Sequence, residues 1–289
     1  MKARLVGEPI SEMHRRIAEA LARIREQKPL IHQITNLVVM NEAADVTLHL
    51  GALPAMAHAR EEVAEMTALA GALVLNLGTP DLARIEAMFI AGRGANRAGI
   101  PIVLDPVGAG ATRLRTDTAL RLLDDLAIAV VRGNAGEIGA LAGAGGRVVG
   151  AQSVESPDDP AAVSRRMARE RGLVVALTGE RDLISDGSHV LGVDNGHRWL
   201  TTLSGTGDMA TTAVAAFAAV EPDYLLAAAG GLACLGLAAE RAAQEAHGPA
   251  SFKVALLDQL YHLTPEQLAE GARIVTVEAP EEAASRAHF

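Results

Sequence analysis

Short apolar segments alternate with segments of helical periodicity along most of this chain, and that alternation constrains its fold more than any other feature. The segment 72–77 reads Ala-Leu-Val-Leu-Asn-Leu, and 100–104 is almost as apolar. Strands of this kind are typical of parallel sheets that are buried on both faces. A helical pattern follows each of these two segments. We therefore expect an α/β fold with three layers, α/β/α, in which helices cover both faces of a mainly parallel sheet.

The same alternation predicts the remaining strands and helices of the chain. The predicted strands are 29–35, 54–57, 72–77, 100–104, 128–131 and 173–177, with an antiparallel hairpin formed by 182–185 and 189–193. The main predicted helices are 9–27, 40–50, 61–70, 116–126, 135–141 and 160–171, and the last third is mostly helical. Residues 143–160 are rich in Gly, Ser, Pro and Asp, which predicts a flexible loop rather than a domain boundary. We expect a single domain over 1–289, with a loosely held tail at about 275–289.

Charge and cysteine content exclude several classes of partner. The net charge of −9 argues against a nucleic-acid surface, which needs clustered Lys and Arg. Cys234 is the only cysteine, so an intrachain disulfide is impossible and a reducing cytoplasm is favoured. The N-terminus lacks the apolar region of a signal peptide, which also favours a cytoplasmic protein. The longest uncharged apolar run, 225–239, is too short and too rich in Gly and Ala to span a bilayer, so we expect a buried helix and no membrane partner.

A glycine-rich turn precedes the apolar run 209–220. Its residues Gly205, Thr206 and Gly207 would leave backbone N–H groups free at the start of a helix, where they and the helix dipole attract an anion. Asp208 would repel a bound phosphate, and it is useful there only if it has a proton to accept. The combination indicates phosphoryl transfer to a hydroxyl group. The alternative is that Asp208 simply caps a buried helix, and the local spacing alone favours that interpretation.

Other polar residues stand at the ends of the predicted strands. In parallel sheets, ligands bind outside these carboxyl ends. Each residue also has an ordinary explanation: Asp105 could start a turn before Pro106, Glu137 could stabilise the first turn of a helix, and Arg132 could be a solvated strand end. Their common edge is harder to explain in that way. The residues are Asn36, Asn76, Asp105, Arg132 with Glu137, and Thr178.

Seven motifs in one order carry a resemblance to a known family. They are His-Gln-Ile-Thr-Asn at 32–36, Gly-Ala-Leu-Pro-Ala-Met at 51–56, Leu-Asp-Pro-Val at 104–107, Arg-Gly-Asn-Ala-Gly-Glu at 132–137, Leu-Thr-Gly-Glu at 177–180, Ser-Gly-Thr-Gly-Asp at 204–208, and Glu-Ala-His-Gly-Pro-Ala-Ser-Phe at 245–252. From about residue 12 to residue 265 the chain resembles the hydroxyethylthiazole kinases of the ribokinase-like superfamily. The motifs at 134–137 and 205–208 are shared across that superfamily, whereas those at 32–36 and 54–56 are more particular to thiazole kinases.

The resemblance implies an activity and a set of binding roles. The family phosphorylates 4-methyl-5-(2-hydroxyethyl)thiazole with ATP and magnesium in thiamine salvage, and it implies a homotrimer with active sites completed across subunit contacts. By position, the implied roles are Met56 and Gly205 for the thiazole alcohol, Asn36 for the same cleft, Arg132 and Thr178 for the nucleotide, and Asp105 and Glu137 for magnesium, partly through water. The chain has no Gly-x-x-x-x-Gly-Lys-Ser/Thr motif, so a P-loop is not expected.

Asp208 marks a departure from the family pattern, because many thiazole kinases carry cysteine at this position. Aspartate is the base in other ribokinase-like kinases, so the change is compatible with kinase activity. We expect Asp208 to be ionised at neutral pH, since helix-terminal amides favour the charged form, and to accept the proton of the alcohol.

The alternatives to a thiazole kinase are a hydroxymethylpyrimidine or other small-alcohol kinase, an ATP-dependent dehydratase of hydrated NAD(P)H, and a non-catalytic ligand sensor.

Overall fold

The computed structural model describes residues 9–149, 152–155 and 157–277. The strands are β1 (Leu30–Ile34), β2 (Leu53–Ala55), β3 (Ala72–Asn76), β4 (Ile102–Asp105), β5 (Val130–Asn134), β6 (Arg147–Val149), β7 (Gln152–Glu155), β8 (Val174–Thr178), β9 (Asp182–Ser185), β10 (Val190–Val193) and β11 (Ile274–Thr276). The helices are α1 (Ile10–Gln27), α2 (Met40–Leu50), α3 (Val63–Ala68), α4 (Leu82–Ala98), α5 (Arg113–Asp125), α6 (Ala135–Leu141), α7 (Pro160–Arg171), α8 (Thr206–Ala218), α9 (Tyr224–Glu245), α10 (Pro249–His262) and α11 (Pro265–Gly271). A 3₁₀ helix, Arg198–Thr202, precedes α8.

The main sheet has nine strands in the order β11-β10-β9-β8-β5-β4-β3-β1-β2. Six neighbouring strands of this sheet run parallel to one another, namely β8, β5, β4, β3, β1 and β2. β9, β10 and β11 extend the sheet by antiparallel pairing. The mainly parallel sheet is therefore confirmed, and the carboxyl ends of β1, β3, β4, β5 and β8 lie along one edge.

Two apolar cores lie on opposite faces of the sheet. Side chains of a strand alternate between faces, so Val74 packs in the core beneath α1, α2 and α8–α11, whereas Leu73 and Leu75 pack in the core beneath α4–α7. All three side chains are buried. Helices thus cover both faces, and the α/β/α layering is confirmed.

Helix α9 is long and apolar enough to cross a membrane by length and composition, but 89% of its most apolar window is buried inside the fold. It packs against α8 and α10 in the larger core. Every residue of α9 from 225 to 239 is buried, as in a helix inside a protein core. This agrees with the buried helix expected over 225–239.

Two expectations about irregular segments are wrong. Within 143–160, β6 and β7 pair as an antiparallel hairpin rather than forming a loop. The C-terminal tail cannot begin at 275, because β11 pairs with β10. The remainder of the expected tail, 278–289, lies outside the described residues.

Candidate active site at the carboxyl ends of the strands

A glycine in a left-handed backbone conformation shapes the start of α8. Gly205 precedes the helix with a φ of 85°, a conformation that L side chains rarely adopt. A Cβ at this position would also lie 2.1 Å from Cγ1 of Val39. The next residue, Thr206, donates its hydroxyl to the carbonyl of Leu200 at 3.1 Å, which joins the helix start to the preceding 3₁₀ helix. Asp208 then lies in the first turn of α8.

Two amide side chains converge on the Asp208 carboxylate. Nδ2 of Asn76 donates to Oδ1 of Asp208 at 2.9 Å, and Nδ2 of Asn36 donates to the same oxygen. Nδ2 of Asn36 also donates to Oδ1 of Asn76 at 3.0 Å. The structure therefore brings the ends of β1 and β3 together with the start of α8. The sequence placed Asn76 at this edge but assigned it no role, since a single Asn at a strand end has no distinctive spacing.

The pKa of Asp208 shifts upward, whereas helix-terminal amides alone would lower it. Burial raises the pKa of Asp208, while the charge of Arg132 and the hydrogen bonds from Asn36 and Asn76 oppose that rise. The upward direction means that desolvation outweighs the donors around the carboxylate. A raised pKa makes this carboxylate a stronger base than an exposed aspartate.

Asp105 ends β4 and is only 1% exposed. Its Oδ2 accepts a hydrogen bond of 2.7 Å from the Thr211 hydroxyl and lies 3.8 Å from Nη1 of Arg132. Its Oδ1 is buried and has no hydrogen-bond partner among the described residues. Burial, partly offset by Arg132 and reinforced by Asp208 and Glu137, raises the pKa of Asp105 to about 7.

Glu137 stabilises the first turn of a helix, as its ordinary explanation from the sequence proposed. It stands in the first turn of α6, where Asn134 and Glu137 form a reciprocal capping box. Its Oε2 accepts from the backbone N–H of Asn134, and its Oε1 accepts from that of Gly108, both at 2.9 Å. Glu137 therefore also fastens the loop after β4 to the end of β5. Burial raises the pKa of Glu137, against the hydrogen bonds from Gly108 and Asn134.

Arg132 and Thr178 are neighbours at the ends of β5 and β8. Nη2 of Arg132 donates to Oγ1 of Thr178 at 2.6 Å. Gly207 packs against the same guanidinium, since a Cβ there would lie 2.6 Å from Nη1. These residues line a cleft of about 1000 Å³, large enough for a sizeable ligand. The cleft is also lined by Arg181, Asp182, Asn195, Gly196 and His197, which the sequence did not single out.

Met56 stands further from the Asp208 cluster. It is half-buried and follows β2, next to β1 in the sheet. Its carbonyl accepts from Nδ1 of His58 at 2.8 Å, and Nε2 of His58 accepts from the backbone N–H of Thr35 at 3.2 Å. Met56 is thus tied to the residue before Asn36 through His58, without a direct hydrogen bond to Asp208 among the described residues.

Known proteins resemble this chain over most of its length. The model of the Hydroxyethylthiazole kinase family matches residues 21–266. Proteins named hydroxyethylthiazole kinase from Roseiflexus sp. (strain RS-1) and Desulforudis audaxviator (strain MP104C) are 68% and 63% identical to it, over 91% and 94% of this chain and 97% and 99% of their own lengths. The solved structure of a hydroxyethylthiazole kinase protein from Pyrococcus horikoshii OT3 superimposes with a TM-score of 0.83 at 43% identity, covering 91% of this chain and 99% of that one.

Proposed function

The chain belongs to the hydroxyethylthiazole kinase family, and on that premise we propose that Asp208 is the base of its phosphoryl transfer. The fold is ribokinase-like, and the reaction is phosphorylation of the hydroxyl of 4-methyl-5-(2-hydroxyethyl)thiazole, with ATP as phosphoryl donor. The observation that supports the base assignment is the position of the Asp208 carboxylate, in the first turn of α8 and within reach of the positive charge of Arg132.

The acceptor is a primary alcohol, which is a poor nucleophile until its proton has somewhere to go. As the alcohol oxygen bonds to the γ-phosphorus, the bond from that phosphorus to the β-bridging oxygen breaks and ADP leaves. The alcohol proton passes to Asp208. Gly205, Thr206 and Gly207 supply backbone N–H groups at the start of α8, where they stabilise charge on the phosphoryl oxygens.

The nucleotide is assigned to the cleft that Arg132 and Thr178 line. Arg132 supplies a fixed positive charge, and its side chain is only 12% exposed, which strengthens its attraction for phosphate. Met56 and Asn36 are assigned to the thiazole end of the site. This assignment is supported by the link from Met56 through His58 to Thr35, which holds the β2 loop against the end of β1.

Asp105 at the end of β4 and Glu137 in the first turn of α6 fit a magnesium ion. Asp105 offers a buried oxygen, Oδ1, that lacks a hydrogen-bond partner among the described residues. Both oxygens of Glu137 already accept backbone N–H groups, so we assign it a contact through water. Mg²⁺ prefers a few carboxylates and several waters over an all-protein cage. A bound magnesium would neutralise charge on the transferring phosphates.

Assembly and compartment are also proposed. Leu37 and Val38 are 68% and 62% exposed directly after Asn36, and Leu53 is 46% exposed on β2. Exposed apolar side chains this close to a site mark a surface that a protein contact would cover. We assign that surface to the contacts of a homotrimer that completes the active site, and we place the enzyme in the cytoplasm.

A substrate comparison tests the reaction. The protein is incubated with ATP and magnesium and, separately, with the thiazole alcohol, hydroxymethylpyrimidine, or hydrated NADH, and the products are identified by mass spectrometry. We expect phosphorylated thiazole as the dominant product. Preferential phosphorylation of the pyrimidine, dehydration of the hydrate, or binding of thiazole without turnover would each replace the proposed function by one of the alternatives weighed from the sequence. The relatives' names favour none of these alternatives.

A further inference from the structure

The orientations of Asn36 and Asn76 are determined by backbone groups rather than by Asp208. Oδ1 of Asn36 accepts the N–H groups of Val38 at 3.0 Å and Val39 at 3.2 Å. Oδ1 of Asn76 accepts the N–H of Gly78 at 2.8 Å. An amide oxygen can accept these bonds and an amide nitrogen cannot. Both Nδ2 groups must therefore point away from these loops, and that is the direction of Asp208.

Among the described residues, the Nδ2 groups of Asn36 and Asn76 donate to only two acceptors, Oδ1 of Asn76 and Oδ1 of Asp208. Asn36 has two N–H bonds on Nδ2, and it directs one to Oδ1 of Asn76 and the other to Oδ1 of Asp208. Asn76 donates to the same oxygen of Asp208 at 2.9 Å. A carboxylate oxygen has two lone pairs, so these two donors saturate Oδ1. A proton on Oδ1 would face two N–H groups, whereas Oδ2 receives neither of these donors.

Asn76 acts at a distance from the ligand cleft. It is 1% exposed at the end of β3 and, like Asn36 and Asp208, it is not among the residues that line the cleft. Gly78 packs directly against the side chain of Asn36, since a Cβ at Gly78 would lie 2.6 Å from Nδ2 of Asn36. Apart from the N–H of Gly78, the side-chain partners of Asn76 among the described residues are Asn36 and Asp208, so we expect its effect on the reaction to pass through these two residues.

We propose that Asn76, together with Asn36, is a positioning residue that occupies Oδ1 of Asp208 and so leaves Oδ2 as the oxygen that takes the proton of the alcohol. The inference rests on the proposed function of Asp208 as base. Asn76 fixes the rotation of the carboxylate, and its hydrogen bond favours the ionised form of Asp208 against burial. The charged groups whose fields reach Asp208 are Arg132 on β5, Asp105 on β4 and Glu137 on α6.

The test compares Asn76→Ala and Asn76→Ser with the wild type in pH profiles of kcat and kcat/KM for the thiazole alcohol. Losing a donor to the carboxylate makes protonation easier, so we expect the acidic limb of Asn76→Ala to move to higher pH by about one unit. We expect kcat to fall about 10- to 100-fold, while KM for the alcohol changes by less than about threefold. Asn76→Ser retains a donor and should recover part of both effects; it also serves if Asn76→Ala does not fold.

Asn96→Ala is the matched control. Asn96 is another amide side chain that bridges backbone groups, with Nδ2 bonded to the carbonyl of Ala127 and Oδ1 to its N–H, both at 2.9 Å. It lies on α4, away from Asp208, so its removal should lower stability without moving the acidic limb. A shift of the limb in this variant as large as that in Asn76→Ala would overturn the inference.

A double-mutant cycle separates this inference from the base assignment. If Asn76 acts through Asp208, adding Asn76→Ala to Asp208→Asn should reduce the residual rate by less than about twofold. A full additional loss in the double variant, or an unshifted acidic limb in both Asn76 variants, contradicts the role of Asn76 alone. Wild-type turnover in Asp208→Asn contradicts the proposed function instead.

Discussion

The hydroxyl of Thr211 donates a hydrogen bond of 2.7 Å to Oδ2 of Asp105, which ties α8 to the end of β4. Arg132 approaches the same oxygen at 3.8 Å. Oδ2 therefore has protein partners, whereas Oδ1 has none among the described residues. This asymmetry is the basis for assigning Oδ1 to a cation, and it leaves a buried, incompletely neutralised acid in the magnesium-free protein.

The first prediction concerns stability against pH. Burial raises the pKa of Asp105 from 3.8 to about 7, so the folded state holds this proton more tightly than the unfolded state. Between about pH 4 and pH 7 the contribution of Asp105 to the free energy of unfolding should fall as pH rises. Denaturant unfolding without magnesium should show this fall in the wild type and a flatter profile in Asp105→Asn. Asp117→Asn, at an exposed carboxylate on α5, is the control and should keep the wild-type slope; a wild-type slope in Asp105→Asn contradicts the prediction.

The second prediction concerns the contact between Gly207 and Arg132. A methyl group at Gly207 would lie 2.6 Å from Nη1 of Arg132, and the flexible side chain would have to move. Gly207→Ala should therefore raise KM for ATP about tenfold, equivalent to about 1.4 kcal/mol, with a smaller change for the alcohol. Gly94→Ala on α4 adds a methyl group with nothing within 4 Å and should leave both constants unchanged. If the two variants change KM for ATP equally, Arg132 does not bind the nucleotide.

The third prediction concerns magnesium. Activity should vanish with a chelator and return with magnesium or manganese, which share a preference for oxygen ligands. Glu137→Gln should raise the magnesium concentration needed for half-maximal rate and lower turnover, with thiazole binding nearly intact. It should also cost about 1–3 kcal/mol of stability, because one of its two backbone N–H partners loses its acceptor.

Asn134→Ser separates the two roles of Glu137. Serine can cap the start of α6, so this variant perturbs the capping box while keeping the carboxylate. We expect its magnesium dependence to stay at the wild-type value. If Glu137→Gln also shows wild-type magnesium dependence, Glu137 serves only to cap α6 and to hold the Gly108 loop.

The fourth prediction concerns assembly. Light scattering at micromolar protein should give the mass of a trimer. Leu37→Asp should reduce that mass and the activity together, because it places a charge in the proposed subunit contact. Leu69→Asp is the control, since Leu69 is 73% exposed after α3 and lies outside that surface. A monomer with full activity would show that the site is complete within one chain.

The bounds of a helix or strand were predicted well where residues at its ends carry a local signal. Helix α2 begins at Met40 and ends at Leu50 as predicted, because Gly51 supplies a left-handed residue, with a φ of 99°, at its C-terminus. The pairing of β6 with β7 and of β11 with β10 had no comparable signal. Both involve strands of three or four residues, and β11 finds its partner more than 80 residues earlier in the chain.

The sequence predicted which residues of the site lie together, but not their hydrogen bonds or pKa shifts. Polar residues at strand ends indicated which side chains would meet, and Asn36, Asp105 and Arg132 do lie among the groups around Asp208. The direction of the pKa shift of Asp208 could not be predicted, because it depends on how deeply the first turn of α8 is buried. The two-donor contact on one carboxylate oxygen likewise depends on backbone hydrogen bonds made after β1 and β3.

The turnover of Asp208→Asn shows whether Asp208 removes the proton of the alcohol. Asparagine keeps the shape of the side chain and can still cap α8, but it cannot accept the proton. At saturating ATP and magnesium, kcat should fall by about 10²- to 10⁴-fold while thiazole affinity stays within a few-fold and the circular dichroism spectrum is unchanged. A correctly folded Asp208→Asn enzyme that turns over at the wild-type rate would show that Asp208 is only a helix cap.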